Sequence, residues 1–429
     1  MKISNPARLD HMIGLARAQG GPLYLLVIAT KPCYIKLASL VHELRRRQVP
    51  ALVIDAGHHY DAVLTSAAQD FDYVDEIDVF LEIRGSILGR TANLATQAEA
   101  LHEHLSAKCG SVRPVPVVSG DTSTSGTFPV FWYLQSGIRS IHVEAGLRSL
   151  TPFAPGQSID LPSVLGQARA AWRGAPDEPF PEQVDSRLTS VASSLLLAPV
   201  GRNRDNLVAE GYAPAAIRLC GSLSADAVQY GRARAAGGQL DALYPELRRR
   251  RWLRVDLHRR ENMAPRRLDA VVEALCALAS QGMPVIFILT NQFNFAERRH
   301  PELRFKQRLL ASGVHCHDMW PSYLDVLGFL ASPQCLAIYT DSGGLQEEAN
   351  ILGVPCMTCR YSTDRPETIL DVGTNLLIPP SEQRLVYQSI LHCIERGADM
   401  VWRDLGHNLY GSDVAVKIVD HLIDTVALQ

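Results

Sequence analysis

A strand-like apolar run, Leu336-Ala337-Ile338-Tyr339, leads into Thr340-Asp341-Ser342-Gly343-Gly344 and then into Leu345-Gln346-Glu347-Glu348. Leu345, Ala349 and Leu352 have helical spacing. A Ser-Gly-Gly turn between strand and helix presents amides that lack intrahelical partners, and the helix dipole favours an anion there. That chemistry suits a phosphate. A carboxylate one turn later suits ribose hydroxyls, so a diphosphate carrying a sugar is the first ligand to consider. An ordinary glycine-rich turn with a solvated acidic first turn accounts for the same residues.

Four more polar loops follow apolar runs: Thr30-Lys31-Pro32, Gly120-Asp121-Thr122, Glu144-Ala145-Gly146 and His258-Arg259-Arg260. The runs expected as strands are 23–30, 51–55, 115–119, 140–144 and 194–200, then 217–221, 253–258, 285–290, 335–340 and 355–359. They are apolar on both faces and alternate with amphipathic helical patterns, which predicts parallel sheets covered on both sides. Two such series predict an α/β chain of two doubly wound, Rossmann-like domains facing a central cleft. Ligands of such sheets sit at the carboxyl ends of strands, where these five loops fall. The break between domains is expected near Gly211 to Gly221, giving an amino-terminal domain of residues 1–219 and a second of 220–408. Within the first, residues 150–179 hold Pro152, Pro155, Pro162, Pro176 and Pro179. This segment reads as a surface insertion or as a lid, with a short helix between Val164 and Trp172.

Composition limits the function classes. At 429 residues the chain exceeds one ordinary core, and 47% apolar with 20% charged residues describes a globular protein. A net charge of −3 offers no polybasic surface for nucleic acid, and no apolar run has membrane-spanning length. The first twenty residues carry Arg8, Asp10, His11 and Arg17, unlike a secretory signal. Nine scattered cysteines, an odd number, predict reduced thiols and a cytoplasmic protein. Cys356-Met357-Thr358-Cys359 has redox or zinc spacing and His315-Cys316-His317 could join it, but no second CxxC exists, so no metal site is expected. Neither G-x-G-x-x-G after a strand nor a Walker motif occurs.

Together the loops resemble the UDP-N-acetylglucosamine 2-epimerase family. The resemblance rests on Thr30-Lys31-Pro32 with Ile35-Lys36, Gly120-Asp121-Thr122-Ser123-Thr124, His142-Val143-Glu144-Ala145-Gly146-Leu147-Arg148-Ser149, Pro181-Glu182 and Leu188-Thr189. It continues through His258-Arg259-Arg260-Glu261, Asp341 to Glu348, Thr363-Asp364-Arg365-Pro366-Glu367 and Tyr410-Gly411, in the family's order. The resemblance implies the glycosyltransferase-B architecture, with residues 409–429 forming a helix that returns to the first domain. It also implies epimerisation at C2 of a UDP-2-acetamido sugar. A base removes the C2 proton as UDP leaves C1, and UDP re-adds with a proton delivered to the other face. No cofactor is needed. By the same resemblance Asp121, Glu144, Glu182 and His258 are catalytic. Lys31, Arg259, Ser342, Gly343, Gly344, Glu348 and Arg365 hold the nucleotide sugar. A homodimer is implied; nucleic-acid and membrane partners are not.

Several positions depart from the family pattern. Lys31 stands for an arginine, which keeps the charge but loses the bidentate fork. Cys33 replaces a glutamate, His58 in Gly57-His58-His59-Tyr60-Asp61 a glutamine, and Ser222 an asparagine; Gln183 stands for a second glutamate and Ser186 for an arginine. The uracil-side loop reads Leu289-Thr290-Asn291-Gln292-Phe293-Asn294. Some of these positions belong to a second, regulatory substrate site in bacterial non-hydrolysing members, so that regulation is expected to be absent or altered. Three alternatives remain open: a hydrolysing epimerase releasing N-acetylmannosamine and UDP, a transferase of the same architecture, and an inactive nucleotide-sugar sensor. Arg365 could instead pair with Asp364 or Glu367.

Overall fold

A computed structural model describes residues 1–56, 69–175, 181–234 and 240–427; the Gly57 to Asp61 motif, Pro176 and Pro179 lie outside them. The chain divides into two compact units, one of residues 1–148, 176–227 and 410–429, the other of 149–175 and 228–409. In chain order the strands begin with β1 (Lys2–Ile3), β2 (Leu23–Ile28), β3 (Ala51–Asp55), β4 (Ile77–Phe80), β5 (Pro114–Ser119) and β6 (Ser140–Val143). Next come β7 (Leu150–Thr151), β8 (Arg173–Gly174), β9 (Ser193–Ala198) and β10 (Ile217–Leu219). The last are β11 (Trp252–Asp256), β12 (Val285–Leu289), β13 (His315–Asp318), β14 (Cys335–Thr340), β15 (Cys356–Thr358) and β16 (Asn375–Leu377).

The sheet of the first unit has the order β1-β4-β3-β2-β5-β6-β9-β10, parallel except for β1 against β4. All six residues of β2 are buried, as a central strand covered on both faces requires. Helices Pro6–Gln19 and Ile87–Cys109 supply Leu9, Ile13, Leu94, Leu101 and Leu105 to its core. Each such leucine or isoleucine contributes on the order of 2 kcal/mol by leaving water. Strand order reverses between β2 and β5, which opens a crevice at their carboxyl ends. The final helix, Val414–Ala427, packs on Lys31–Arg46. Tyr24 donates its hydroxyl to the Leu422 carbonyl at 2.8 Å, and Asp226 accepts from the amides of Val414 and Ala415.

The second unit has the parallel order β13-β12-β11-β14-β15-β16, with its reversal between β11 and β14. Helices Pro265–Ser280 and Gln383–Met400 pack on one face of this sheet, and Phe329, Leu330, Leu345 and Ala349 pack on the other.

Two boundaries differ from the sequence expectation. The run at 217–221, grouped with the second series of strands, pairs in parallel with β9 and completes the first sheet. The division falls instead within the helix Leu223–Arg234, after Ala227. The proline-rich segment groups with the second unit rather than the first. Its β7–β8 ribbon is antiparallel, and Leu150 exchanges backbone hydrogen bonds with Thr363. The helix expected at Val164 to Trp172 forms at Leu161–Leu165 and continues as a 3-10 turn, Gln167–Arg169. Val164 enters the second unit's core, Phe153 packs with Ile369 and Leu377, and the Gln167 amide bonds both N–H and C=O of Leu377. Buried apolar contacts and a satisfied glutamine fix this segment to β16.

Candidate active site

In the first unit, the loops after β2, β5 and β6 leave the sheet around the β2/β5 reversal. Glu144 follows β6 directly and has φ +66°. That left-handed conformation costs a non-glycine residue about 1–2 kcal/mol and is retained mainly where a side chain must be aimed. The carboxylate is 3% exposed. It is paired with the Lys36 ammonium, one end of a helix-borne salt bridge, and accepts a hydrogen bond from Ser119 Oγ at 3.0 Å. Gly146, two residues on, has φ +86°. A Cβ there would lie 2.2 Å from the Asn203 carbonyl oxygen. Gly146→Ala is therefore expected to cost about 2–4 kcal/mol, from left-handed strain plus overpacking. Chemical denaturation measures it, and a loss below 1 kcal/mol would show that the turn relaxes freely.

Asp121 is half-buried in the loop that leads into helix Ser123–Ser136, which Thr122 caps by accepting from the Ser125 amide. Behind it, His142 Nε2 lies 3.3 Å from the Gly120 carbonyl and Nδ1 3.0 Å from Ser190 Oγ. Burial, with the Arg148 charge adding, pushes His142 down to about 3 despite the Gly120 bond. It is thus a neutral strut under the Asp121 loop. Glu182 opens helix Glu182–Val191 and is half-buried. Asp185, one turn later, accepts from Ser123 Oγ at 3.0 Å and is acted on by the Asp121 charge, so this helix start and the Asp121 loop meet. Lys31 begins helix Lys31–Arg46, but its side chain lies outside the described residues.

In the second unit the loops after β11 and β14 meet at the β11/β14 reversal. Asp341, fully buried, ties them together. It accepts from the amides of His258 at 2.9 Å and Arg259 at 3.0 Å, and from the Asn262 side chain at 2.9 Å. His258 Nδ1 lies 3.2 Å from Asp341 and 3.5 Å from Asp256, its ring 45% exposed. Burial acts to lower the His258 pKa, but the Asp341 and Asp256 carboxylates outweigh it and raise it. The imidazolium form is favoured, with an open edge for an anion. Arg259 Nε donates to the Asp341 carbonyl.

Ser342 caps helix Gly343–Leu352 by accepting from the Leu345 amide at 3.3 Å. This leaves the first-turn amides of Gly343 and Gly344 at a helix N-terminus, the geometry that suits a phosphate. Glu348 is 8% exposed beneath them, and burial together with its charge pushes the Tyr323 phenol well above its ordinary range. Arg365 is not at the surface. Its guanidinium pairs with Glu347 and Asp364, and Asp364 also pairs with Arg360 at 2.9 Å. Of the two partners expected from sequence, Asp364 is found, and Glu347 joins it.

One cluster has ligand-like spacing among the described residues. Single ligand atoms of Glu246, His315 and His317 lie within 4.8 Å of one another. The indole N–H of Trp320 donates to His317 Nδ1 at 3.4 Å, and Nε2 faces Glu246 at 3.4 Å. The ring proton therefore belongs on Nε2, directed at Glu246. A cation on Nε2 would drive that proton to Nδ1, against the indole N–H. Nε2 itself is buried and makes no hydrogen bond, so the indole bond on Nδ1 is the one hydrogen bond this ring makes among the described residues. Asn262 and Asp185 went unremarked in the sequence, and His142 was named only as part of a motif. Only Asp185 had a signal, its i, i+3 spacing from Glu182 on one helix face.

Comparison with known proteins finds relatives along most of the chain. The family model described as UDP-N-acetylglucosamine 2-epimerase matches residues 173–423, more than half of the chain. A Thermotoga maritima relative is 30% identical, over 84% of this chain and 85% of its own. The Bacillus subtilis UDP-N-acetylglucosamine 2-epimerase is 24% identical, over 93% and 94%. Among solved structures, the S. aureus MnaA–UDP complex has a TM-score of 0.76 at 22% identity, covering 95% of this chain and 98% of that one. The Methanocaldococcus jannaschii UDP-GlcNAc 2-epimerase, solved with UDP-GlcNAc and UDP, has a TM-score of 0.72 at 24% identity, covering 94% and 99%. These structures share the fold, and the matched family model, with the Thermotoga relative, establishes descent: the chain belongs to the UDP-N-acetylglucosamine 2-epimerase family.

Proposed function

We propose that this protein is an enzyme that epimerises UDP-N-acetylglucosamine at C2 of the sugar, by elimination and re-addition of UDP. Family membership supports the reaction class, and Glu144 carries the reading for this chain. A buried carboxylate on a strained, positive-φ residue, paired with Lys36 and oriented by Ser119, is held for chemistry rather than for packing. Asp121 and Glu182 supply further carboxyl groups, so proton removal and return at C2 can fall to different side chains. When the C2 proton leaves, the C1–O bond breaks and its electron pair departs with UDP, leaving an unsaturated acetamido sugar. Proton return at C2 on the opposite face, with UDP re-adding at C1, completes the inversion. His258 and Arg259 meet the departing diphosphate with positive charge. The Ser342-Gly343-Gly344 helix start offers it hydrogen-bond donors, and Glu348 takes the ribose hydroxyls. Arg365, locked to Glu347 and Asp364, aligns the nucleotide helix instead of gripping substrate. Lys31 and a homodimeric assembly belong to the proposal on family resemblance alone.

Incubation with UDP-N-acetylglucosamine in deuterated water tests the reading. The manno epimer should appear with deuterium at C2, and free UDP should stay far below product. UDP rising in step with turnover assigns the hydrolysing reaction instead. If neither epimer nor UDP forms, the substrate assignment is wrong.

A further inference from the structure

Arg254 and Asp256 are alternate residues of β11, so both side chains leave the same face of the sheet, and His258 follows in step at its carboxyl end. Trp252 starts this row, in the core that also holds Trp320, Phe329 and Leu330. Arg254 is 3% exposed there, its guanidinium 4.9 Å from the centre of the Trp320 ring. Its Nη2 donates to Asp256 Oδ2 at 2.9 Å, while Nε and Nη1 are buried without a hydrogen bond among the described residues. The other Asp256 oxygen, Oδ1, lies 3.5 Å from His258 Nδ1. One carboxylate thus stands between two cationic groups.

Stability gives little reason for this row. A buried ion pair stabilises weakly at best, and apolar residues suit such a core better. Two unbonded guanidinium donors add a desolvation cost. The row leads instead to the histidine of the diphosphate loop. Asp341, the second carboxylate at His258 Nδ1, lies at 3.2 Å, but it also holds the amides of His258 and Arg259 and the Asn262 side chain. Asp256 faces Arg254 on one side and His258 on the other. Other charges near the row are few. Arg259, next along the loop, works against the imidazolium. Beside Arg254, burial pushes His317 on β13 down to about 4 and the Cys335 thiol on β14 up to about 12, so both are uncharged at neutral pH. Glu246 faces His317 at 3.4 Å.

We infer that Asp256 is a bridging carboxylate, and that Arg254, buried on the strand below the loop, is a positioning residue acting through it: the share of the carboxylate that Arg254 takes is withheld from His258. Burial acts to raise the Asp256 pKa, but Arg254 and His258 outweigh it and hold the carboxyl down at about 2, consistent with a bridge that is charged at neutral pH. The role in turnover rests on the proposed function, in which the His258 imidazolium meets the departing diphosphate. Asp256 supports that charge and Arg254 limits the support, so the ring is charged for the diphosphate without being locked to its proton.

Nitrogen-15 spectra of histidine-labelled protein, with the resonance assigned by its loss in His258→Gln, read the His258 charge without reference to activity. Removing the carboxylate in Asp256→Asn should move the His258 titration to lower pH. Removing the cation in Arg254→Met should move it to higher pH, and the double variant should fall between the two. Arg254→Lys keeps the charge and a donor, and should titrate as wild type. Arg254→Gln keeps a donor without the charge; it should shift as the methionine variant does, and stands in for it if that protein does not fold. The alkaline limb of the kcat profile for UDP-N-acetylglucosamine should follow with the same signs, so that at pH 8.5 Asp256→Asn loses activity and Arg254→Gln keeps it. A row that only packs would shift both single variants the same way or neither, and either result overturns the bridge. A wild-type protein inert toward UDP-N-acetylglucosamine would sink the functional reading while the spectra still decide the bridge.

Discussion

Glu144→Gln is expected to lower kcat for epimerisation by about 10²–10⁴-fold, with KM and UDP binding changed far less. Glutamine keeps the shape and can still accept from Ser119, but it cannot take a proton or balance Lys36. The loss is thus of charge and basicity at one atom pair. Two companions separate chemistry from architecture. Glu144→Ala and Glu144→Gly both remove the carboxylate and should be comparably inactive. They should differ in stability, because glycine adopts φ +66° without strain. The glycine variant should be the more stable by about 1 kcal/mol. Steady-state kinetics, deuterium incorporation at C2 and urea denaturation of the three variants measure these effects. A Glu144→Gln protein that retains more than a tenth of wild-type kcat would remove Glu144 from the chemistry and return it to a structural role.

The sequence was legible where one residue type has one physical use. Strands buried on both faces, such as Leu23–Ile28 and Val285–Leu289, announce themselves as unbroken apolar runs. Turn chemistry at Gly120-Asp121 and Ser342-Gly343-Gly344 announced loops at their carboxyl ends. It was less legible where a strand carries polar residues satisfied by distant partners. β4 reads Ile-Asp-Val-Phe, and its Asp78 is fully buried because Arg8 Nε lies at 3.0 Å and the Val53 amide donates to it. β13, His-Cys-His-Asp, is an edge strand whose His317 stacks on Tyr244 and whose His315 meets Trp252 edge-on. Neither has an apolar period to find. β10 was grouped with the second series of strands because it is only three residues long and its allegiance is a matter of pairing, not composition. In the site, residue types were readable and partners were not. Nothing local tells that Arg365 closes on Glu347, or that Asp185 lies against the Asp121 loop.

Asp341→Ala is expected to destabilise the second unit by about 3–5 kcal/mol, the range for removing one partner of a buried, fully engaged charge. The side chain is wholly buried and accepts from two backbone amides and the Asn262 amide. Alanine leaves all three donors facing a void. Asparagine is not a gentle substitute. Its single oxygen can keep the Arg259 amide and the Asn262 side chain, which share Oδ2, while its NH2 is turned against the His258 amide, so Asp341→Asn should also destabilise, though by less than alanine. The His258 contact adds a pH dependence. Asp341 raises the His258 pKa in the folded state, so that contribution is complete below the ordinary histidine value and is lost as pH rises through the folded one. The gap between wild type and Asp341→Ala should therefore be wider at pH 6 than at pH 9, though most of it, being amide-borne, persists at both. Calorimetry at the two pH values reads the difference, and hydrogen exchange locates it. The His258 and Arg259 amides should exchange far faster in the variant, while those of β2 and β5 in the other unit keep their protection. If exchange at 258 and 259 is unchanged, Asp341 does not hold the diphosphate loop, and the raised affinity of His258 for a proton needs another source.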